Sequence, residues 1–172
     1  MDFRIGERVV YPNHGIGIIE EVGNKSVNGA SEEFYMLRIH ANSSLVMVPT
    51  ANVKSVGLRR IMKKSEVEGL FKLLQDDFLE PETDWKGRFK DHSEKMRTGS
   101  IMHVAEVLKS LVYLSYKKSL SFREKKMLDR ARQFIISEVA IVRGLNEKSV
   151  EEQIDRMLYE AYSRSARPSA SA

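Results

Sequence analysis

Residues 8–22 have the sequence RVVYPNHGIGIIEEV. Arg8 to Tyr11 is rich in β-branched and aromatic residues, and Pro12 has no amide hydrogen with which to continue a strand. The Asn13-His14-Gly15 sequence that follows is typical of a turn, because Asn and Gly accept the backbone angles of tight turns. Residues 16–22 again have the composition of a strand. This stretch therefore predicts two sequential antiparallel strands at the start of the chain.

The same pattern continues to residue 62. We predict further strands at 33–40 and 45–48, and a short fifth strand at 51–56. The predicted links contain Gly or Asn: Gly23-Asn24, Asn28-Gly29-Ala30-Ser31 and Asn42-Ser43-Ser44. Short sequential strands joined by tight turns favour a small antiparallel β-barrel of the SH3 or Tudor kind.

The pattern becomes helical from residue 63, where apolar residues begin to recur every three or four positions. The sequences Ser-x-x-Glu at Ser65 and at Ser121 both predict capping boxes, in which Ser and Glu satisfy each other's free amides. We predict further helices over about 84–97, after Ser100, and over 149–162. The chain is therefore predicted to be an α+β protein with a β domain at 1–62, a helical domain at 63–162 and a disordered tail at 163–172.

The composition excludes several classes of protein. Of the 172 residues, 42% are hydrophobic and 30% are charged, which is typical of a soluble globular protein. The absence of cysteine excludes disulfide scaffolds, Cys-ligated metal centres and Cys nucleophiles. No apolar run approaches the length of about 20 residues that spans a membrane, and the N-terminus has no apolar signal core. We therefore expect a cytoplasmic protein.

The sequence offers no catalytic constellation. The histidines are His14, His40, His92 and His103, and no two of them have the i,i+4 spacing of metal ligands on one helix. We find no Gly-rich phosphate loop and no G-x-S-x-G elbow around a nucleophile. We therefore predict that the chain is not an enzyme and needs no cofactor or metal.

Positive charge is concentrated in two helical stretches, although the net charge is only +4. Residues 85–97 contain Lys86, Arg88, Lys90, Lys95 and Arg97, against Asp91 and Glu94. Residues 117–132 contain Lys117, Lys118, Arg123, Lys125, Lys126, Arg130 and Arg132, against Glu124 and Asp129. Such clusters attract nucleic-acid phosphates, although a basic helix face can also serve solubility alone. Two basic helices beside a single tryptophan favour nucleic acid.

Trp85, the only tryptophan, opens the first basic helix and has two interpretations. In one, Trp85, Phe89 and Met96 form the core stripe of that helix, as aromatic residues at helical spacing usually do. In the other, Phe89 is the core anchor and Trp85 projects as a wedge into the minor groove, with Lys86, Arg88 and Lys90 on the phosphates. Periodicity favours the first interpretation, and the sequence alone does not choose between them.

Met47 lies between Val46 and Val48 in the predicted fourth strand. Because side chains alternate across a strand, Met47 points outward if the two valines point inward. Methionine adapts well at contact surfaces, and an open strand edge invites pairing with a partner. The alternative is an ordinary surface methionine at the rim of the barrel.

Several motifs, in the same order, resemble the CarD/CdnL family of bacterial transcription regulators. The resemblance extends over about residues 1–160. It rests on residues 9–19 (VVYPNHGIGII), Val48-Pro49, residues 56–59 (VGLR), residues 85–90 (WKGRFK), Gly99-Ser100, residues 104–107 (VAEV) and residues 120–132 (LSFREKKMLDRAR).

The resemblance implies a Tudor-like domain that docks on the β subunit of RNA polymerase, and a helical domain that lies on promoter DNA at the upstream edge of the bubble. It implies that Trp85 is the wedge, and that Lys86, Arg88 and Lys90 contact the DNA backbone. The second basic helix would add Arg123, Lys125, Lys126, Arg130 and Arg132. It also implies Lys25, Met47 and Pro49 as polymerase contacts. Some relatives have arginine in place of Lys25 and Met47, so the docking surface here would be more apolar.

The sequence thus predicts a monomeric transcription initiation regulator that stabilises the open promoter complex without reading the base sequence. Its location would be the cytoplasm, at the nucleoid through RNA polymerase. The alternative is a protein adaptor that binds polymerase through the β domain and recruits another protein through the helices.

Overall fold

A computed structural model describes residues 2–81 and 83–167. The chain divides into two compact units, and the division falls between Ile61 and Met62. The first unit is an antiparallel β-sheet and the second is helical, so the predicted α+β class is confirmed. Arg97–Gly99, which we predicted to lie in the helical domain, is grouped with the first unit. Gly99 packs so closely there that an added Cβ would lie 2.9 Å from the Gly57 carbonyl oxygen.

The sheet of the first unit has five strands in the order β4-β3-β2-β1-β5. The strands are β1 (Arg8–Tyr11), β2 (Gly15–Val27), β3 (Ala30–Ile39), β4 (Leu45–Pro49) and β5 (Arg59–Arg60). All the pairings are antiparallel. β4 and β5 are the two edges, so within the described residues the barrel is not closed by pairing between them.

The predicted turn at Gly23-Asn24 is wrong, because β2 continues through it to Val27. Gly23 lies opposite Phe34, and an added Cβ there would meet the Phe34 ring at 3.4 Å. Glycine at this position therefore makes room for an aromatic ring instead of bending the chain. The hairpin turn is at Asn28-Gly29, where both residues have positive φ, 52° and 82°. That pair of angles suits the twist of the flanking strands.

The predicted fifth strand at 51–56 is also wrong. Thr50–Asn52 is a 3₁₀ turn, and α1 (Val53–Val56) follows it. Gly57 ends α1 in the left-handed conformation, with φ 74°, and the fifth strand comes later, at Arg59–Arg60. A helix rises about 1.5 Å per residue and a strand about 3.3 Å per residue. A helix is therefore the more compact way to connect β4 to β5.

The core of the first unit lies on one face of the sheet. Its buried apolar residues are Phe3, Val9, Ile19, Tyr35, Leu37, Val48, Val53 and Leu58. The Tyr35 hydroxyl accepts a hydrogen bond from the Phe3 amide at 3.1 Å, which attaches the N-terminal segment to this core.

The helical unit contains α2 (Glu66–Gln75), α3 (Trp85–Arg97), α4 (Ile101–Lys117), α5 (Phe122–Arg143) and α6 (Glu147–Ser165). Its largest fully buried side chains are Leu70, Leu74, Leu108, Leu111, Ile135, Ile154 and Glu138. Glu138 accepts a hydrogen bond from the Met62 amide at 2.7 Å, so a buried carboxylate holds the first residue of the unit. Among the described residues, none of the helices has the length and apolar character needed to cross a membrane.

α6 continues three residues beyond the predicted boundary at 162. Ser163–Ser165 therefore belong to a helix, and the prediction of a tail is wrong for them. The Ser165 hydroxyl accepts from the Phe78 amide at 3.1 Å and donates to the Ala161 carbonyl at 3.0 Å. Such tertiary hydrogen bonds stabilise a last turn that composition alone does not predict. Residues 168–172 of the predicted tail lie outside the described residues.

Only one of the two predicted capping boxes forms. Ser121 Oγ accepts from the Glu124 amide, and Glu124 Oε2 accepts from the Ser121 amide, both at 3.2 Å. Ser65 makes no side-chain cap, because its backbone is already helical. At that end of α2 the Lys63 amide donates to Glu66 Oε2 at 2.5 Å.

Ser121→Ala should lower the free energy of unfolding by about 1 kcal/mol, because it removes a capping hydrogen bond. Ser65→Ala is the matched control and should change it by less than about 0.5 kcal/mol. Urea denaturation measures both. Equal losses for the two variants would contradict the assignment of the caps.

Candidate nucleic-acid and protein interfaces

Trp85 is the first residue of α3, and its side chain is 53% exposed. Asp84 precedes it and accepts hydrogen bonds from the amides of Lys86, at 3.3 Å, and Gly87, at 3.1 Å. A carboxylate at this position satisfies the free amides of the first turn, so the helix begins at Trp85. Because the side chain of Trp85 is exposed, the interpretation of Trp85 as a core residue is wrong. Met96 is buried, as that interpretation expected.

The buried stripe of α3 is mostly polar and consists of Arg88, His92 and Met96. His92 Nε2 lies 3.0 Å from Ser110 Oγ on α4. Burial lowers the pKa of His92 below its usual value, so its ring is neutral near pH 7. Trp85 lies one turn before Arg88, at the N-terminal end of α3, and its side chain is exposed there.

Arg88 is only 3% exposed, and it forms an ion pair with Glu124 in the first turn of α5. Its Nη2 atom lies 2.8 Å from Glu124 Oε1, and its Nε atom lies 3.3 Å from the same oxygen. A buried, paired guanidinium is not available to a phosphate. We therefore correct the prediction that Arg88 contacts DNA: it holds the N-terminal turns of α3 and α5 together.

The pKa of Glu124 reports on the same pair. Burial would raise this pKa, but hydrogen bonds from Arg88 and Ser121 and the positive charge of Arg88 outweigh burial and hold it below its usual range. A lowered carboxylate pKa stabilises the fold above the pKa of the unfolded chain. That stabilisation is lost as the pH falls through the lowered value.

Most of the other predicted cations are exposed. They are Lys86, Lys90, Arg123, Lys125, Lys126 and Arg130. Arg132 differs, because its Nη2 atom lies 3.2 Å from Glu151 Oε1 and also contacts the carboxylate of Asp155. Two carboxylates on α6 therefore neutralise Arg132, and we remove it from the predicted DNA contacts.

Phe122 is a surface residue that the sequence interpretation missed. It is the first residue of α5 and is 71% exposed. Lys126 lies one turn later, with its Nζ atom 4.6 Å from the centre of the Phe122 ring. The sequence signal that could have identified Phe122 is an aromatic residue that lies outside the apolar stripe of α5 and is surrounded by cations.

The three predicted polymerase contacts lie on one face of the sheet. Met47 is 41% exposed on the edge strand β4, whereas Val48 is buried. Met47 pairs with Met36, Pro49 with Phe34, and Lys25 with Glu32. Directly opposed residues share a face, and alternate residues of a strand share it too. Lys25, Met47 and Pro49 are thus on the face opposite the core.

The same face carries apolar residues that sequence reasoning missed. Leu45 lies two positions before Met47 on β4 and is exposed, and Ile18 is exposed opposite Arg38. Ile18 and Leu45 lie on either side of Arg38 on this face, and Leu45 extends the apolar surface of β4 beyond Met47. The alternation in residues 45–49 was the signal that could have found Leu45.

A cleft of about 630 Å³ lies in the helical unit, with His92, Lys109 and Ser110 among its lining residues. Lys109 Nζ donates to the carbonyls of Leu73 and Asp76, both at 2.7 Å. It therefore caps the end of α2. In the part of the chain that the structure describes, no group of three or more His, Cys, Asp or Glu residues could hold a metal ion.

Two family models match the chain. Residues 3–62 match the CarD-like/TRCF RID domain, and residues 69–155 match the CarD C-terminal domain. The chain is 34% identical over 149 residues to the "Putative transcription factor YdeB" of Bacillus subtilis (strain 168). The match covers 87% of this chain and 97% of the relative.

Two solved structures from Myxococcus xanthus are also similar. The N-terminal domain of CarD is 34% identical, with a TM-score of 0.31, and the match covers 34% of this chain and 79% of that one. The protein described as CdnLNt is 38% identical, with a TM-score of 0.32, and the match covers 37% of this chain and 90% of that one.

Arg88→Met should lower the free energy of unfolding by about 3 to 5 kcal/mol, because it leaves the carboxylate of Glu124 buried without its partner. Lys86→Met, in the same turn but exposed, should change it by less than about 0.5 kcal/mol. Thermal and urea denaturation measure both. If Arg88→Met instead kept full stability and weakened DNA binding with a shallower salt dependence, Arg88 would be a phosphate contact after all.

Proposed function

Because this chain belongs to the CarD family of transcription regulators, we propose that it stabilises the open promoter complex. Its β unit docks on the β subunit of RNA polymerase, and its helical unit holds promoter DNA at the upstream edge of the bubble. The observation that carries the proposal is an exposed tryptophan at the start of a helix whose first turn is fixed by a buried ion pair. The chain acts without catalysis, in the cytoplasm at the nucleoid.

The exposure of Trp85 supports its role as the wedge. An apolar side chain can enter the minor groove and hold a base step apart, at a cost of a few kcal/mol of stacking energy. That cost is smaller where the DNA is already distorted, so the indole binds the junction of the bubble better than closed duplex. Any group that binds one state better shifts the equilibrium toward it. Trp85 therefore favours the open complex.

The exposed cations supply the rest of the DNA affinity. Lys86 and Lys90 lie on α3 beside Trp85, and Arg123, Lys125, Lys126 and Arg130 lie on α5. Phosphate contacts orient a protein on DNA but carry no sequence information. Weak contacts are sufficient here, because docking on polymerase raises the effective concentration of the helical unit near the DNA. A net charge of only +4 agrees with this mode of recruitment.

The docking surface is the edge strand β4. An edge strand presents unpaired backbone amides and carbonyls, so a strand of the polymerase can extend the sheet. Met47 and Leu45 place exposed apolar side chains along that edge, and Pro49 lies at its end. The match of residues 3–62 to the CarD-like/TRCF RID domain supports this partner.

Trp85→Ala should shorten the lifetime of the open promoter complex by about tenfold, since an aromatic contact with a base is worth about 1 to 3 kcal/mol. The fold and the binding to polymerase should not change, because the side chain is exposed. Competitor-challenge kinetics of the open complex measure the lifetime. Trp85→Phe is the matched control and should retain an intermediate lifetime. If Trp85→Ala left the lifetime unchanged, the protein adaptor would be the better explanation.

Met47→Glu should weaken polymerase binding by at least about tenfold, because it places a charge in an apolar contact. Ile5→Glu is the matched control: Ile5 is also exposed in the β unit but precedes β1 and belongs to none of the strands. Pull-down of polymerase with each variant measures the effect, and circular dichroism checks the fold. Equal binding by both variants would rule out β4 as the docking edge.

A further inference from the structure

Phe122 has no role in the wedge mechanism, yet its side chain is 71% exposed. It is not part of the buried face of α5, which contains Ala131, Ile135 and Val139. The capping box of Ser121 and Glu124 fixes the backbone on both sides of it. A large aromatic ring is thus exposed on a fixed backbone. Single exposed apolar residues are common, so the surroundings of the ring decide whether it has a function.

Phe122 and Trp85 belong to the same rigid corner of the helical unit. Arg88 lies one turn after Trp85, and Glu124 lies two residues after Phe122. The distance of 2.8 Å between Arg88 Nη2 and Glu124 Oε1 brings the two N-terminal turns together. Each turn therefore carries one exposed aromatic side chain.

The surroundings of Phe122 are strongly basic. Arg123, Lys125 and Lys126 are all exposed, and the ammonium of Lys126 lies 4.6 Å from the centre of the Phe122 ring. Lysine is depleted in protein–protein interfaces, where its charge must be desolvated. Aromatic rings among cations are typical of surfaces that bind single-stranded nucleic acid. The charge therefore favours DNA over a protein partner.

We propose that Phe122 is a second aromatic contact to promoter DNA, which stacks on an unpaired base of the melted region while Arg123 and Lys125 bind the adjacent phosphates. This inference rests on the proposed function, and it gives the protein two aromatic contacts joined by one ion pair. An unpaired base exposes the flat surface that a phenyl ring can stack on, whereas a paired base in closed duplex does not. Stacking also tolerates any base, in agreement with binding that does not read sequence.

The test uses the full chain with RNA polymerase and a promoter that carries 2-aminopurine, whose fluorescence falls when it is stacked. The probe is placed at successive positions of the upstream melted region. Phe122→Ala should restore fluorescence at a position other than the one affected by Trp85→Ala. It should also shorten the open-complex lifetime by about three- to tenfold. Unfolding should be unaffected, because the ring is exposed.

Three variants separate stacking from other effects. Phe122→Tyr keeps the ring and should behave as the wild type, whereas Phe122→Leu keeps only the apolar volume and should behave as Phe122→Ala. Tyr159→Ala removes another exposed aromatic of the helical unit and should change nothing. If Phe122→Leu matched the wild type, stacking would be excluded.

The remaining outcomes separate this inference from the proposed function. If the wild-type chain lengthens the open complex and Trp85→Ala shortens it, but Phe122→Ala equals the wild type, the inference alone is overturned. If the wild-type chain does not lengthen the open complex at all, the proposed function fails and the inference fails with it.

Discussion

The ion pair of Arg88 with Glu124 holds the first turns of α3 and α5 together, and the positions of the surface residues in those turns depend on it. Removing two charges from water is costly, and the cost is recovered only where geometry and hydrogen bonds are good. Here Arg88 donates twice to one oxygen of Glu124, and Ser121 binds the other oxygen. The same carboxylate thus caps α5 and fixes α3. Because both helices begin at this point, the residues of their first turns have defined positions at the surface.

The proposed wedge role of Trp85 would benefit from a rigid support. A wedge on a flexible loop would lose conformational entropy on binding, which would consume much of its interaction energy. Trp85 follows directly on the capping residue Asp84, and Arg88 anchors the next turn. In the proposed complex, most of the ordering of Trp85 would therefore be complete before DNA binds. Under the proposed function, the free energy of insertion would then favour the open state.

The proposed docking role would require the β unit to leave one strand edge and one face available. Its core occupies a single face of the sheet, so the alternate residues of β2, β3 and β4 form a second surface. Met47 and Leu45 make that surface apolar at the edge, while Lys25 adds a charge near the hairpin. The regular period of the strands explains why alternation around Val46 and Val48 predicted the outward direction of Met47.

The sequence by itself determined the α+β class, the outward direction of Met47, a helix from about Asp84 to Arg97 and the capping box at Ser121. Each depends on residues within a few positions of one another, so local periodicity and capping chemistry are sufficient. Only the tertiary structure decided the exposure of Trp85, the burial of Arg88, the pairing of Arg132 with α6 and the surface position of Phe122. These depend on partners far along the chain: Glu124 is distant from Arg88, and Asp155 is distant from Arg132. Local pattern identifies a basic helix, but only long-range packing decides which of its charges remain free to bind another molecule.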